Sequence, residues 1–595
     1  MARRKPRNLR ESIPGFRRLG HHVRPHLRRE RPTLLLGLLA LLAEVAFRLL
    51  EPWPLKYVID GVVAASGATV AGQPAGNLTL LLVLASVALL AITLLRAGAS
   101  YLSTLACALS GSRLLSKVRA DLFEHLQRLP MSFHDSARTG DLVTRVTADV
   151  GRLKEVAVTA ALPLFGNALT LVAMVVVVAF MDWRLALVML VVFPAFFSMS
   201  LRLGRRIHSV SRLQRSAEGS LASHATESLA SMRLIKSYSL EHAMQETFSS
   251  SNEKSMKDGV KAKRLSAGLE RKTDVLVGIA TSITLFAGAQ RVLAGAMTPG
   301  ELVVFLTYLK AAFKPMRDVA KYVGRISQAA ASSERIVEIL DEVPGVVDRP
   351  QASPAPTLSG RVELCDVWLE YAPGHPALRG VDLVIPAGQR IALLGPSGAG
   401  KSSLAMLLSR LCDPSQGHVS IDGIDLRDMT VESLRRQTAV VLQESVLFAT
   451  SISENIAYGS AEGSPARVRE AALVAGAHDF IRRLPAGYDT IVGERGATLS
   501  GGERQRIAIA RAAMRRAPIV ILDEAMAGLD RETEAEVYAA LERLTRDCTT
   551  IMISHDLDSA LTCERALWLE DGRIVDDGRP DTVLARRAGG SHARR

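Results

Sequence analysis

Arg390-Ile-Ala-Leu-Leu394 followed by Gly395-Pro396-Ser397-Gly398-Ala399-Gly400-Lys401-Ser402 leads from a short apolar strand pattern, through a glycine-rich turn, into the helical pattern Ser403 to Leu411. Strand, turn and helix in that order give the context in which such a turn wraps phosphate groups. Glycines free the backbone so that successive N–H groups can face an anion, and the helix N-terminus adds its positive end. The loop from Gly395 to Ser403 is therefore predicted to cradle nucleotide phosphates, with Lys401 reaching the β- and γ-phosphates and the Ser402 hydroxyl on Mg²⁺.

Working downstream, Pro518-Ile-Val-Ile-Leu522 is a second buried-strand pattern, ending in Asp523-Glu524. Side chains alternate along a strand, so adjacent carboxylates can divide their roles. Asp523 is expected in the Mg²⁺ shell and Glu524 beside the water that attacks the γ-phosphate. Acidic residues also end strands as helix caps, and it is the phosphate loop that favours the catalytic reading. Between the two motifs stands Leu499-Ser500-Gly501-Gly502-Glu503-Arg504-Gln505. Ser500 reads as a helix N-cap, and the glycines beside it permit close approach of an anion. One chain cannot easily fold both phosphate surfaces onto one nucleotide, whereas two chains facing head to tail can.

Upstream the composition changes. At 595 residues the chain exceeds one hydrophobic core, and mean hydropathy is positive, +0.17, although 22% of residues are charged. The long apolar runs all precede residue 325. Six segments approach the roughly 20 residues needed to cross a bilayer: Leu34 to Ile59, Leu78 to Tyr101, Val156 to Met181, Leu185 to Leu201, Val275 to Leu293 and Leu302 to Val323. The first and last carry Glu44, Arg48, Glu51, Lys310 and Lys314, charges expected to face a bundle interior or a wet cavity. Glu44 and Arg48 are spaced to neutralise each other. Lys310, Lys314, Arg317 and Lys321 share one helix face. That stripe reads either as a lining for anionic cargo or as interfacial positive charge.

Loop charges orient the spans. The stretches Arg113 to Lys154 and Arg202 to Lys272 are rich in Lys and Arg and are expected in the cytoplasm with both chain ends. The net charge of +13 owes much to the cluster from Arg3 to Arg31 ahead of the first span. It reads as a cytoplasmic anchor, with an organelle import leader as its rival. Five cysteines form no C-x-x-C pair and read as reduced thiols. Prolines 344, 350, 354 and 356 mark a linker. The expected organisation is a basic segment 1–32, an all-α membrane domain of six helices 33–325 with long cytoplasmic helical extensions, a linker 326–358, an α/β phosphate-loop domain 359–585 and a tail 586–595.

At these residues the sequence resembles the ATP-binding cassette exporters of the type IV, half-transporter kind, from about Arg24 to Leu584. The resemblance implies that two cassettes sandwich two ATP molecules, each held by one chain's phosphate loop and, in trans, by Leu499, Ser500, Gly501, Gly502 and Gln505 of the other. It further implies that Tyr371 stacks on adenine, with a core tyrosine as the alternative, and that Gln443 touches Mg²⁺ and the attacking water. His555 would contact the γ-phosphate and Asp530 would couple the two sites. Thr490 to Gly496 matches the loop that exporters carry before the signature. Phe133 to Asp141 and Met232 to Tyr238 resemble the two loops that dock on cassettes. One departure stands out: Ala525-Met526-Ala527-Gly528-Leu529-Asp530 lacks the hydroxyls usual after the catalytic glutamate.

The expected function is ATP-hydrolysing export or flipping of a substrate by a dimer, with a homodimer favoured and a heterodimer allowed. The protein is expected in the plasma (inner) membrane, in contact with lipid and without nucleic acid. An importer built on the same fold and a non-transport cassette ATPase are the alternatives.

Overall fold

The structure, a computed structural model, describes residues 17–591 apart from 19, 21–23, 27, 66–77, 157–161, 373, 461, 494–495, 497, 527–530 and 555. The chain divides into two compact units. The first comprises Met1–Leu126 and Gly140–Asp341, the second Gln127–Thr139 and Glu342–Arg595.

The first unit is helical. Its long elements are α1 (Arg31–Leu50), α2 (Trp53–Ala65), α3 (Leu78–Arg128), α4 (Leu162–Met181), α5 (Trp183–Ala230), α6 (Glu241–Leu293) and α7 (Pro299–Leu340). α3 and α6 contain 51 and 53 residues. At about 1.5 Å per residue each is roughly 75–80 Å long, far beyond the ~30 Å hydrocarbon core. Among the described residues, four helices are long and apolar enough to cross a membrane: Arg31–Ala64, Leu78–Arg128, Leu162–Met181 and Glu241–Leu293. The other two predicted spans fall within α5 and α7.

A buried core formed by Met174 and Val178 on α4, Phe196 on α5, Ala280 on α6 and Phe305, Tyr308, Leu309 and Phe313 on α7 holds these helices together. Its aromatic rings pack edge to face, Phe196 against Phe313 at 5.6 Å between centroids. The start of α7 is fixed by a capping box between Thr298 and Glu301. Asp60 reinforces it, accepting from the Gly300 N–H at 2.8 Å and the Thr298 hydroxyl at 2.9 Å. The charges foreseen in the first span are paired. Arg48 donates to Glu44 at 2.9 Å, and Glu51 takes Arg96 from α3.

α7 runs through the stretch expected to begin the linker, because residues 325–340 contain neither Pro nor Gly and are rich in helix formers. Its last turns carry a polar anchor. Asp149 is fully buried at the end of a π-helical turn (Arg145–Asp149). It accepts from Arg335 Nε and Nη2, both at 2.6 Å, and from Ser332 at 2.9 Å. Burial alone would raise this carboxyl, but the Arg335 and Ser332 hydrogen bonds and the Arg335 and Arg152 charges hold it below the usual carboxylate range. The stabilisation is therefore present above the unfolded value of about 3.9 and is lost as pH falls through the lower folded value.

Arg335→Ala leaves that buried carboxylate without its main partner. Breaking a buried pair costs about 3–5 kcal/mol, and because Arg335 is partly exposed we expect about 2 kcal/mol. The melting midpoint of the helical unit should fall by roughly 2–4 °C; an unchanged midpoint would remove the anchor role.

The second unit contains an antiparallel sheet and a mainly parallel one. The strands are β1 (Val362–Ala372), β2 (His375–Ile385), β3 (Arg390–Leu394), β4 (Gln416–Ile421), β5 (Ile424–Asp425), β6 (Thr438–Val441), β7 (Ile519–Asp523), β8 (Thr549–Ile553), β9 (Arg565–Glu570) and β10 (Arg573–Gly578). The orders are β2-β1-β4-β5 and β10-β9-β3-β8-β7-β6. Strands β3, β6, β7 and β8 are near-continuous apolar runs because both faces are buried. Three helices matter for the site: α8 (Lys401–Leu408), α9 (Gly501–Arg515) and α10 (Arg531–Leu544). A short helix, Met131–Ser136, belongs to the first of the two segments that resemble docking loops, and Met232–Ser237 to the second.

Candidate active site

The parallel strands β3, β6, β7 and β8 end on the same side of their sheet, which is where open α/β sheets bind ligands. At the end of β3 the chain turns through Gly395 (φ +145°), Gly398 (+80°) and Gly400 (+105°), and Gly400 caps α8. A Cβ on Gly395 would lie 2.0 Å from the Leu569 carbonyl oxygen, and one on Gly400 2.6 Å from that of Ala377. Both positions thus require glycine for conformation and for space. Lys401 is buried and folds back over the loop, its Nζ donating to the Gly395 and Pro396 carbonyls at 2.8 and 2.9 Å. Burial pushes its ammonium down, and the charges of Glu524 and Asp523 act the other way. Ser402 is exposed at the first turn of α8.

Asp523 closes β7, opposite Ile553 of β8. Burial raises its carboxyl, the Glu524 charge adds to this, and Lys401 opposes it. Glu524 does not simply continue the strand alternation. It takes a left-handed backbone (φ +49°), and its N–H donates to the Ile553 carbonyl at 3.0 Å. That turn sends its carboxylate toward the residues after β6, where Gln443 Nε2 donates to Glu524 Oε2 at 2.8 Å. A basic loop at a helix N-terminus, a half-buried carboxylate and a second carboxylate oriented by an amide therefore gather at one sheet edge, the parts required for nucleotide triphosphate hydrolysis.

The chain matches the family model of the ABC transporter transmembrane region over residues 34–316 and that of the ABC transporter over 378–527. The ATP-dependent lipid A-core flippase of Syntrophus aciditrophicus is 37% identical over 84% of this chain and 83% of its own length. A Bacillus subtilis relative with a provisional name as a multidrug export ATP-binding/permease protein, YgaD, is 31% identical over 96% of this chain and 97% of its own. The chain belongs to the ABC transporter family. A solved structure of a bacterial Atm1-family ABC exporter with ATP bound superposes with a TM-score of 0.76 at 28% identity, covering 94% of this chain and 96% of that one.

As an ABC exporter half-transporter, the chain is a multi-pass membrane protein that binds and hydrolyses ATP to export or flip a substrate and works with a second subunit. The importer and non-transport alternatives fall away.

In the exporter signature, Ser500 and Gly501 are exposed at the N-terminus of α9, whereas Leu499, Gly502 and Gln505 are buried. A capping box explains the geometry. Ser500 Oγ accepts from the Glu503 N–H at 3.3 Å, and Glu503 accepts from the Ser500 N–H at 2.8 Å. Gln505 points into its own domain and accepts from Ser445, two residues beyond Gln443. Its side chain therefore braces the signature helix and does not share the surface of Ser500. No sequence pattern points to Ser445, because the contact links positions 60 residues apart with no motif of its own.

Tyr371 is exposed at the end of β1, and its hydroxyl donates to Ser403 Oγ at 3.1 Å, which keeps the ring beside the phosphate loop. Base–aromatic stacking is worth about 1–3 kcal/mol. Tyr371→Ala is expected to weaken ATP binding about tenfold while Tyr371→Phe leaves it near wild type; equal losses in a fluorescent-nucleotide titration would show that the hydroxyl, not the ring, matters. His555, Asp530, the Ala527-Gly528 departure and Glu494-Arg495 of the exporter loop lie outside the described residues.

Proposed function

We propose that two copies of this chain form a homodimer that moves an amphipathic, lipid-like cargo away from the cytoplasmic side of the plasma (inner) membrane. The observation that carries the hydrolytic part is the Gln443–Glu524 hydrogen bond beside the Lys401 loop. Glu524 accepts a proton from the attacking water, and the Gln443 amide keeps its carboxylate aimed. Gly395 to Ser403 hold the phosphates from one chain, Ser500 and Gly501 approach from the other, and Leu499, Gly502 and Gln505 support that surface from within. Tyr371 receives the adenine, His555 the γ-phosphate, and Asp530 joins the two sites.

Mg²⁺ binds through one or two carboxylates, substrate phosphates and water. Asp523, Ser402 and Gln443 offer oxygen donors of that kind, and the ion would supply charge neutralisation on the phosphates. The proposed organisation keeps the cassette at 359–585 and both termini in the cytoplasm, and extends the helical domain expected at 33–325 to Leu340, where α7 ends.

Likeness to lipid A-core flippases over most of the chain supports a lipid-like cargo. Purified chain in vesicles should move a labelled anionic lipid out of the cassette-side leaflet only with ATP. Movement in the opposite direction, or none for lipid but transport of an apolar dye, would overturn the cargo reading. The native mass should be twice the 64.1 kDa of one chain.

A further inference from the structure

The cassette has a second concave site, at the opposite end of the strands that carry the nucleotide site. A cavity of about 570 Å³ opens where α9 and α10 end and β7 and β8 begin. This is within the size range of small-molecule sites. Its apolar floor includes Val474 and Leu544, and its walls carry six arginines: Arg436, Arg467, Arg515, Arg516, Arg543 and Arg546. Only two carboxylates line it, Glu470 and Asp547.

The arginines fall into two groups. Arg515 and Arg543 are tied to backbone, Arg515 donating to the Gly459 and Thr438 carbonyls at 3.1 and 3.2 Å and Arg543 to that of Val474 at 2.7 Å. They give the cavity fixed positive walls. The side chains of Arg436, Arg516 and Arg546 have no backbone partner among the described residues, and Arg467 makes only long bonds, to the Glu462 and Met514 carbonyls at 3.3 and 3.4 Å, so these four are available to a ligand. Arg436 with Glu432, Arg467 with Glu462 and Arg516 with Glu470 are surface pairs whose carboxylates are 60–88% exposed. Such pairs contribute about 0–1 kcal/mol each and give way to a more highly charged partner. Arg546 is exposed and has no side-chain partner among the described residues. Several guanidiniums converging on one hollow favour phosphate oxygens, which they bind bidentately, over a single carboxylate. The excess of cations over carboxylates calls for an anion with more than one charge.

We propose that this cavity is a second anion site of the cassette, separate from the phosphate loop, that takes a di- or triphosphate group.

The test uses full-length chain carrying Lys401→Ala, which weakens the phosphate loop, and inorganic tripolyphosphate as the probe in isothermal titration. One tripolyphosphate per chain should still bind. Adding Arg467→Ser, Arg516→Ser and Arg546→Ser should weaken it at least tenfold. No binding to the Lys401→Ala chain, or an affinity unmoved by the three further substitutions, overturns the proposal. If the multiple variant does not fold, hydrogen exchange on the Lys401→Ala chain decides: tripolyphosphate should slow exchange over 512–518 and 543–548, and unchanged exchange there overturns the site. Neither readout depends on transport, so failure here and failure of the export reading are distinguishable.

Discussion

Glu524→Gln should lower ATP turnover about 10²- to 10⁴-fold, the usual contribution of a positioned general base, while ATP binding stays near wild type. The substitution preserves shape, and the new amide oxygen can still accept the hydrogen bond from Gln443 that measures 2.8 Å in the native chain. The left-handed backbone at position 524 is retained as well, so the change removes basicity and little else. Phosphate release and nucleotide titration on the same preparation check both halves. Turnover that survives would mean that another group takes the proton. Binding lost along with turnover would make Glu524 a structural residue.

Gly395→Ala should abolish ATP binding, at least a hundredfold in affinity, for two reasons that act together. Its φ of +145° is one that side chains rarely adopt, and the added methyl would sit 2.0 Å from the Leu569 carbonyl oxygen. Backbone of a central strand cannot retreat, so the loop must. Gly398→Ala serves as the control. Its φ of +80° is also strained, but nothing lies within 4 Å of the added carbon. Strain alone costs about 1–2 kcal/mol, roughly a tenfold effect. Equal losses in the two variants would show that the contact with β9 is irrelevant to the cradle.

Much of this protein is legible in its sequence because the signals are local. Apolar runs point to the membrane helices, and Gly395 to Ser402 and Ile519 to Glu524 are strand and turn patterns a few residues long that point to nucleotide chemistry. What is not legible depends on tertiary partners. Asp149 and Arg335 lie 186 positions apart and meet only when the helices pack. The capacity of Arg48 to neutralise Glu44 is visible at four-residue spacing, but the pairing of Glu51 with Arg96 needs a second helix. Gln505 sits in a motif whose Ser500 and Gly501 face outward, yet helix phase turns its side chain inward to Ser445. The left-handed turn at Glu524 has no sequence signature, since non-glycine residues adopt it only when surrounding structure imposes it.

The 53 residues of α6 form one uninterrupted helix with no proline to kink it. It can act as a lever. A stiff helix about 80 Å long that tilts by about 5° carries its far end through roughly 7 Å, more than the ~5.4 Å pitch of one helical turn. A small rotation where one end of the rod is gripped therefore becomes, at the other end, a displacement large enough to exchange one set of side-chain neighbours for the next.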